Sequence, residues 1–492
     1  MKTVAIIGGG LGGLTAAITL ASSGYHVKLF EKNSHFGGKM LAVDQEGYHF
    51  DFGPNTITLP HVFQNVLEKA GLNPNHYFTF EKLTHHTRNT FSDGLSFDLS
   101  SSESYMTNQL KQLDPKGAAK YKSFIKDIEK LYSLSNQHFF HRTFQSWRDY
   151  LSPQLGNALR KVKPTRTLHD FYEQYFQNPR IIQALDRYAT YIGSNPYVAP
   201  ATFAMIAYLE LVDGVYYTKG GNTNIAKGFV HAAKDLGVEL YANAKVRQLH
   251  VHQKQVEGVV LENGETIEAD EVIINGDLLK AYPDLVSEEH RPHFSNQKVR
   301  EFEPSISGFV ILAGLEGRIP DLHHHHVFFS GNYKKEFKQI ESGHYATEPT
   351  IYICTSSKVD PDVSPNGDNC FILVNAPPTS VGEDDDLDPE EYKQVIYDRL
   401  KSFGIDIQSK LKYEQVWTPE DIRDKFGAFR GSLYGPASNR KVDAFARPFN
   451  RSQDIQNLYF AGGSTHPGGG SPMVVLSGKN VAEAIVKKHG GG

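Results

Sequence analysis

The sequence predicts an α/β fold, a Rossmann-like parallel sheet interrupted by a large insertion of mixed α+β structure. Three stretches carry that prediction. One is an opening strand, glycine turn, helix and second strand; one is a middle run of strands around a single helix; one is a late strand that ends in glycines before another helix.

The opening stretch is "TVAIIGGGLGGLTAAITLASSGYHVKLFEKN". Val4 to Ile7 form a short, continuously apolar run, the signature of a strand buried on both faces. Gly8, Gly10 and Gly13 satisfy G-x-G-x-x-G, with Leu11 and Gly12 between them, and Leu14 to Leu20 continue in a helical pattern. A second apolar run, Val27 to Phe30, ends in Glu31 and then Lys32. Glycines let the backbone approach a pyrophosphate, the helix N-terminus faces its charge, and Glu31 can accept hydrogen bonds from ribose hydroxyls. A glycine pattern alone could be a tight turn. With strand, helix, second strand and acid all in register, it predicts a dinucleotide site. An acid at the ribose position also argues against a 2'-phosphate, and so against NADP.

The next stretch, "HFGGKMLAVDQEGYHFDFGPNTI", carries Gly37-Gly38-Lys39 and then Phe50-Asp51-Phe52-Gly53-Pro54. On these motifs the chain resembles the flavin amine oxidase and phytoene desaturase superfamily. The resemblance implies FAD as the cofactor and an FAD-binding domain of the glutathione reductase and amine oxidase type. It also places Gly38, Lys39, Gly53 and Pro54 among the cofactor-binding residues.

The late stretch "IQNLYFAGGSTHPGGGSPM" reads as a strand ending at Gly462 and Gly463, and Pro472 suits the first turn of the helix that follows. Glycines there let the chain lie flat against a ring system. The resemblance implies that Gly462, Gly463 and Met473 close over the flavin, with the helix N-terminus aimed at it. One departure stands out: where many flavoproteins carry an Asp for the ribityl chain, this sequence has Gly463 and Ser464. In the middle stretch, Asn224 to Leu236 read as a helix ended by Gly237, and a hairpin turns at Asn263-Gly264. Strand-like Val246 matches the family position whose backbone meets the adenine. The FAD-binding domain is therefore expected to be discontinuous, from residues 1–75, 215–285 and 440–492. Residues 76–214 and 286–439 are expected to form the inserted α+β substrate domain.

Within the superfamily, "EFEPSISGFVILAGL", "VWTPEDIRDKFGAFRGSLYG" and "LYFAGGSTHPGGGSPMVVLSGK" resemble bacterial carotenoid desaturases of the phytoene desaturase type. They are most similar to the C30 carotenoid oxygenases that oxidise terminal methyl groups. The resemblance spans essentially the whole chain and leaves two activities open, terminal oxidation of a C30 carotenoid and desaturation of a carotenoid precursor. It implies a long apolar carotenoid as substrate and molecular oxygen or another electron acceptor.

Composition bounds the remaining classes. A net charge of -5 offers no basic surface for nucleic acid. Two cysteines with no CxxC pair argue against a disulfide framework and fit a reducing compartment. No apolar run reaches the length of a membrane span and no signal-like core opens the chain. The expected location is therefore cytoplasmic, peripherally on the inner face of the cell membrane. The segment "VAPATFAMIAYLELV" (198–212) is apolar nearly all round and predicts a buried or tunnel-lining helix. The 30 Phe and 25 Tyr, many between residues 120 and 217, fit either a ring-filled core or a pocket for a large apolar ligand. "GEDDDLDPEE" (382–391) reads as a solvated loop feeding a helix. His323 to His326 invite a metal, but alternation along a strand allows only every second one to share an ion, and no metal ligand is assigned. His466 is expected to shape the flavin pocket rather than move protons. No catalytic residue is legible.

Overall fold

The computed structural model describes residues 1–150, 166–379, 388–439 and 447–490. Its centre is a five-stranded sheet in the order Leu458–Phe460, Glu271–Ile274, Thr3–Ile7, His26–Phe30, Glu239–Tyr241. Every pairing is parallel. The opening strand lies in the middle, Val4 facing Glu271 on one side and Val27 on the other, which explains why its central residues are all apolar and buried. The strands end level at Ile7, Phe30, Tyr241, Ile274 and Phe460. The loops that leave them therefore gather along one edge, the usual place for a ligand in such a sheet.

The helix Leu11–Ser22 leaves the opening strand and packs against two others, Asn224–Asp235 and Ser471–Lys488. The middle helix and the hairpin form as the sequence predicts, the latter pairing Gln255–Leu261 with Thr266–Glu268. A second, seven-stranded sheet runs Leu411–Trp417, Ser307–Leu315, Asn369–Ala376, Ile351–Thr355, His325–Phe328, His85–Thr90, Ser96–Ser100. It is antiparallel except where His325–Phe328 runs alongside His85–Thr90. An α/β fold with a Rossmann-like sheet and a mixed second layer is thus what the chain adopts.

Two expectations need correction. The 198–212 segment is not one helix. It is a 3-10 turn (Ala201–Ala204), one α-turn (Met205–Tyr208) and a π-helical turn (Leu209–Asp213), because an apolar run without a polar face fixes no helical period. The alternation argument also fails for the histidine run. The strand starts only at His325, so His324 is free of the pleat, and the His324 and His325 rings lie 4.2 Å apart. Of the acidic stretch, residues 382–387 lie outside the described residues, and the helix it feeds begins at Pro389.

Candidate functional site

One cavity of about 1080 Å³ opens along the level strand ends. Gly8, Gly10 and Leu11 line it from the first loop, with Glu31 and Lys32 from the end of the second strand. Gly38, Lys39, Gly53 and Pro54 line it from the next segment, and Val246 from the middle of the chain. Gly462, Gly463 and Met473 close the set. Of the cofactor-binding residues expected from the sequence, Gly12 and Gly13 alone stand off the wall. Their missing side chains serve packing: a Cβ on Gly13 would meet the Gly8 carbonyl oxygen at 2.2 Å, and one on Gly12 the Asn275 side chain at 2.5 Å.

The glycine-rich end is shaped for a polyanionic ligand with hydroxyl groups. The helices Leu11–Ser22 and Ser471–Lys488 both start at the cavity, behind Gly10 and Gly470, and neither N-terminus has a side-chain cap. Amides left open at a helix start favour negative charge. Gly8 adopts φ 102°, and a Cβ there would lie 2.2 Å from the Asn275 carbonyl oxygen, so no other residue fits. Glu31 is buried, its Oε2 accepting from the Gly9 amide and its Oε1 from the Asn33 amide, each at 2.8 Å. A carboxylate oxygen can accept more than one donor, so capacity remains for ribose hydroxyls. Uncapped helix starts, an acid with lone pairs to spare and a floor of bare backbone fit an FAD.

Lys39 does not reach into open space. Its Nζ donates to the carbonyls of Ser432 and Leu433 at 3.0 and 2.7 Å, and burial pushes its pKa down to about 8 against the opposing charge of Asp277. Asp277 in turn lines the cavity and accepts from the Phe429 and Leu279 amides, its pKa raised by burial. Asp277 and Asn275 were missed in the sequence. Asn275 Nδ2 donates to the Gly8 carbonyl at 3.0 Å and pins the glycine turn. The only signal was a polar pair, "NGD", straight after the apolar strand 271–274. Ser464, at the position of the missing Asp, takes the Leu278 amide on its Oγ at 2.8 Å and so ties the two strand ends together.

The other end of the cavity is apolar, with Phe139, Phe140, Phe203, Ile206 and Leu209 on its wall. Phe139, Phe140 and Leu209 come from two π-helical turns, Asn136–Phe140 and Leu209–Asp213, and Phe203 and Ile206 from the short turns before the second. Three of the five come from the 198–212 segment, which therefore does line the cavity. His466 lies on the wall with Nε2 2.7 Å from the Phe139 carbonyl, and burial pushes its pKa down to about 4. Its ring is neutral near pH 7 and its Nε2 proton is committed to that carbonyl, which suits shaping rather than proton transfer.

One polar island interrupts the apolar wall. Arg187, 7% exposed, lies with its guanidinium over the Tyr191 and Tyr352 rings, 5.2 and 5.6 Å from their centres. Its Nη2 donates to the Tyr191 hydroxyl at 3.2 Å, and that hydroxyl donates to Glu210 Oε1 at 2.5 Å. Tyr188 donates to the other Glu210 oxygen at 3.1 Å. Behind Tyr352, the side chains of His324, His325 and Cys354 offer ligand atoms within 4.8 Å of one another, with no carboxylate among them. None of the three lines the cavity.

Comparison with known proteins places this geometry. The family model described as flavin containing amine oxidoreductase matches residues 11–486. The 4,4'-diaponeurosporene oxygenases of Staphylococcus aureus strains USA300 and NCTC 8325 are each 33% identical to this chain over 98% of both sequences. Among solved structures, cyclohexylamine oxidase from Brevibacterium oxydans superimposes with a TM-score of 0.61 at 16% identity, covering 99% of each chain. An oxidoreductase from Methanosarcina mazei does so with a TM-score of 0.63 at 16% identity, over 98% of this chain and 100% of that one.

Proposed function

The chain belongs to the flavin-containing amine oxidoreductases, and from that premise we propose that it oxidises terminal methyl groups of a C30 carotenoid, 4,4'-diaponeurosporene or 4,4'-diapolycopene, to the aldehyde. It is an FAD-dependent oxidoreductase. One observation carries the substrate class: a single cavity joins a glycine-and-acid end to an aromatic, apolar end, in a chain similar along its length to proteins named for oxygenating such a carotenoid. At 1080 Å³ it exceeds the ~300–1,000 Å³ of most ligand sites, which gives room for cofactor and substrate together.

When bound, FAD would supply the two-electron acceptor for each oxidation, with oxygen or another acceptor as the final oxidant. The chain's own residues hold and orient. Glu31 takes the adenosine ribose, the Gly8–Leu11 turn the pyrophosphate, and the backbone at Val246 the adenine. Gly462, Gly463 and Met473 would hold the ring system, with Lys39 fixing the neighbouring 432–433 backbone. The aromatic wall keeps water from the polyene and sets how far the chain can enter. We assign residues 1–75, 215–285 and 440–492 to the FAD-binding domain and 76–214 and 286–439 to the substrate domain. In support, every strand of the parallel sheet falls in the first set and every strand of the seven-stranded sheet in the second.

Glu31→Ala is expected to weaken FAD binding by on the order of 2 kcal/mol, the size of charge-assisted hydrogen bonds lost at a buried acceptor. Flavin fluorescence titration checks it; unaltered affinity would remove Glu31 from the ribose.

No helix among the described residues is long and apolar enough to cross a membrane, while a carotene resides in one. We therefore place the protein peripherally on the inner face of the cell membrane. One experiment tests substrate and location together: C30 carotene supplied in liposomes to purified protein, FAD and oxygen. Product gaining one oxygen and losing two hydrogens, with the protein floating alongside the liposomes, is the expected result. Hydrogen loss without oxygen gain would assign the site to desaturation, and protein left at the bottom of the gradient would refute the membrane placement.

A further inference from the structure

We propose that Arg187 and Tyr191 form a subsite for the oxygen atom of a partly oxidised substrate, a long apolar chain ending in an alcohol or aldehyde. This rests on the oxygenase reading above and adds what that reading leaves open, how the first product is retained for its second oxidation.

A hydrocarbon asks nothing of a cation. Placing a guanidinium on the wall of an apolar cavity costs several kcal/mol unless its donors are used. Here they are used in part. Nη2 donates to Tyr191, and the two aromatic faces accept the plane of the group. Glu210, fully buried on the π-helical turn, lies one hydroxyl away and supplies the balancing charge. Nε is shut away inside the wall, but Nη1 donates to nothing among the described residues and is not shut off, on a side chain that lines the cavity. An unused guanidinium donor on an apolar wall calls for an acceptor, and a bound ligand is one of the few that could supply it.

The position fits the reacting end of a substrate. Arg187 shares the wall with Thr190 and Tyr191 from its own turn and with Tyr352 from the seven-stranded sheet. It is also close enough to Tyr434 for its charge to oppose the rise that burial imposes on that phenol. The Tyr434 ring packs over Gly469, in the glycine-rich loop 468–470. Arg187 therefore stands where the apolar arm meets the glycine-lined end. An oxygen bound there leaves the polyene tail in the aromatic arm. In the first oxidation the methyl would give up a hydride to the two-electron acceptor, FAD, and its carbon would take a hydroxyl from water with a proton released. That hydroxyl then accepts from Nη1, and the carbon bearing it stays at the junction to lose a second hydride to re-oxidised FAD while the hydroxyl proton leaves to solvent. A site built to bind such a group discriminates strongly against loss of the pairing.

The test compares wild type with Arg187→Leu, each given the C30 hydrocarbon and, separately, its terminal alcohol. The expected result is accumulation of alcohol, with the alcohol-to-aldehyde ratio raised about tenfold or more and KM for the alcohol raised relative to that for the hydrocarbon. An unchanged ratio in a folded, FAD-loaded variant would overturn the subsite while leaving the oxygenase reading intact. Failure of wild type to form any oxygenated product would instead sink the oxygenase reading itself. Because the single change strands the Glu210 charge, Arg187→Leu with Glu210→Gln removes both charges and keeps the test open if the single variant does not fold. A second readout needs no variant: the visible band of the bound terminal aldehyde should shift to longer wavelength than that of the free aldehyde in an apolar solvent of matched polarisability, as a carbonyl accepting from a cation would. No shift overturns the subsite.

Discussion

Taking the protein from pH 7 to pH 5 is expected to unfold it. Five buried histidines are held neutral by burial: His86 and His326 with pKa pushed down to about 3, His324 and His466 to about 4, and His325 well below its ordinary value. In the unfolded chain each titrates near 6.5. A folded pKa below the unfolded one means the unfolded state takes up the proton first. The stability each contributes is therefore complete above pH 6.5 and is lost as pH falls towards the folded value. Asp186, its pKa raised by burial to about 6, works the other way and offsets about one proton, with further help from His169, raised by its Asp186 hydrogen bond, from His49, raised against the cost of burial by Asp51 and Asp44, and from the raised carboxyls of Glu210, Glu336 and Asp277. The balance is roughly three protons, on the order of 4 kcal/mol per pH unit, against a whole stability of ~5–15 kcal/mol. Melting temperature followed from pH 7.5 to 4.5, with release of flavin as a second signal, should fall steeply below pH 6. A flat profile down to pH 5 would contradict the placement of these histidines.

The second large effect is expected at Gly478. Glycine inside a helix costs ~1 kcal/mol relative to alanine, and here it sits in the middle of Ser471–Lys488. The reason is contact: a Cβ at this position would lie 2.0 Å from the Gly12 carbonyl oxygen, so the two helices touch backbone to backbone. Backbone cannot swing aside as a side chain can. Gly478→Val must push apart two helices whose first turns both face the cofactor end of the cavity. The expected loss is at least the ~1–3 kcal/mol of an overpacked core, together with loss of bound FAD. Gly24→Ala is the control for backbone strain alone, since its φ of 83° is unfavourable to alanine, as the helical φ of Gly478 is not, while a Cβ there meets nothing within 4 Å. Gly478→Val that melts with Gly24→Ala and retains full flavin would show that the helices have room to part.

What could be read in the sequence follows from how local the cause is. The opening turn and its acid were legible because strand, helix and glycines lie within thirty-odd residues and each constrains the next. The wall residues at 37–54 and 462–473 were reached through the family resemblance, whose motifs are equally short, and they do line the cavity. Asn275 and Asp277 were not legible, since their importance comes from the pairing of Glu271–Ile274 beside the opening strand, which no short-range pattern encodes. Arg187 was hidden inside a run of tyrosines that reads as core. Its partner Glu210 was hidden in the apolar 198–212 segment, where only the π-helical turn brings the carboxylate inward. The histidine run misled through a rule that holds only inside a strand, and the strand began one residue later than the argument needed.

The middle of the parallel sheet has a consequence for synthesis. The opening strand leaves the ribosome first, yet its neighbour Glu271–Ile274 follows only after some 260 intervening residues, and Leu458–Phe460, which completes the edge, comes almost last. At ~5–20 residues per second, the oldest part of the chain waits many seconds for the strands that cover it. His26–Phe30 follows at once and can cover one edge, but during that wait the other edge of an apolar strand stays bare in the cell, a template for pairing with other chains. Nascent copies of this protein should therefore depend on chaperones that bind extended apolar segments, and a ribosome stalled before residue 458 would hold a chain that cannot close its sheet.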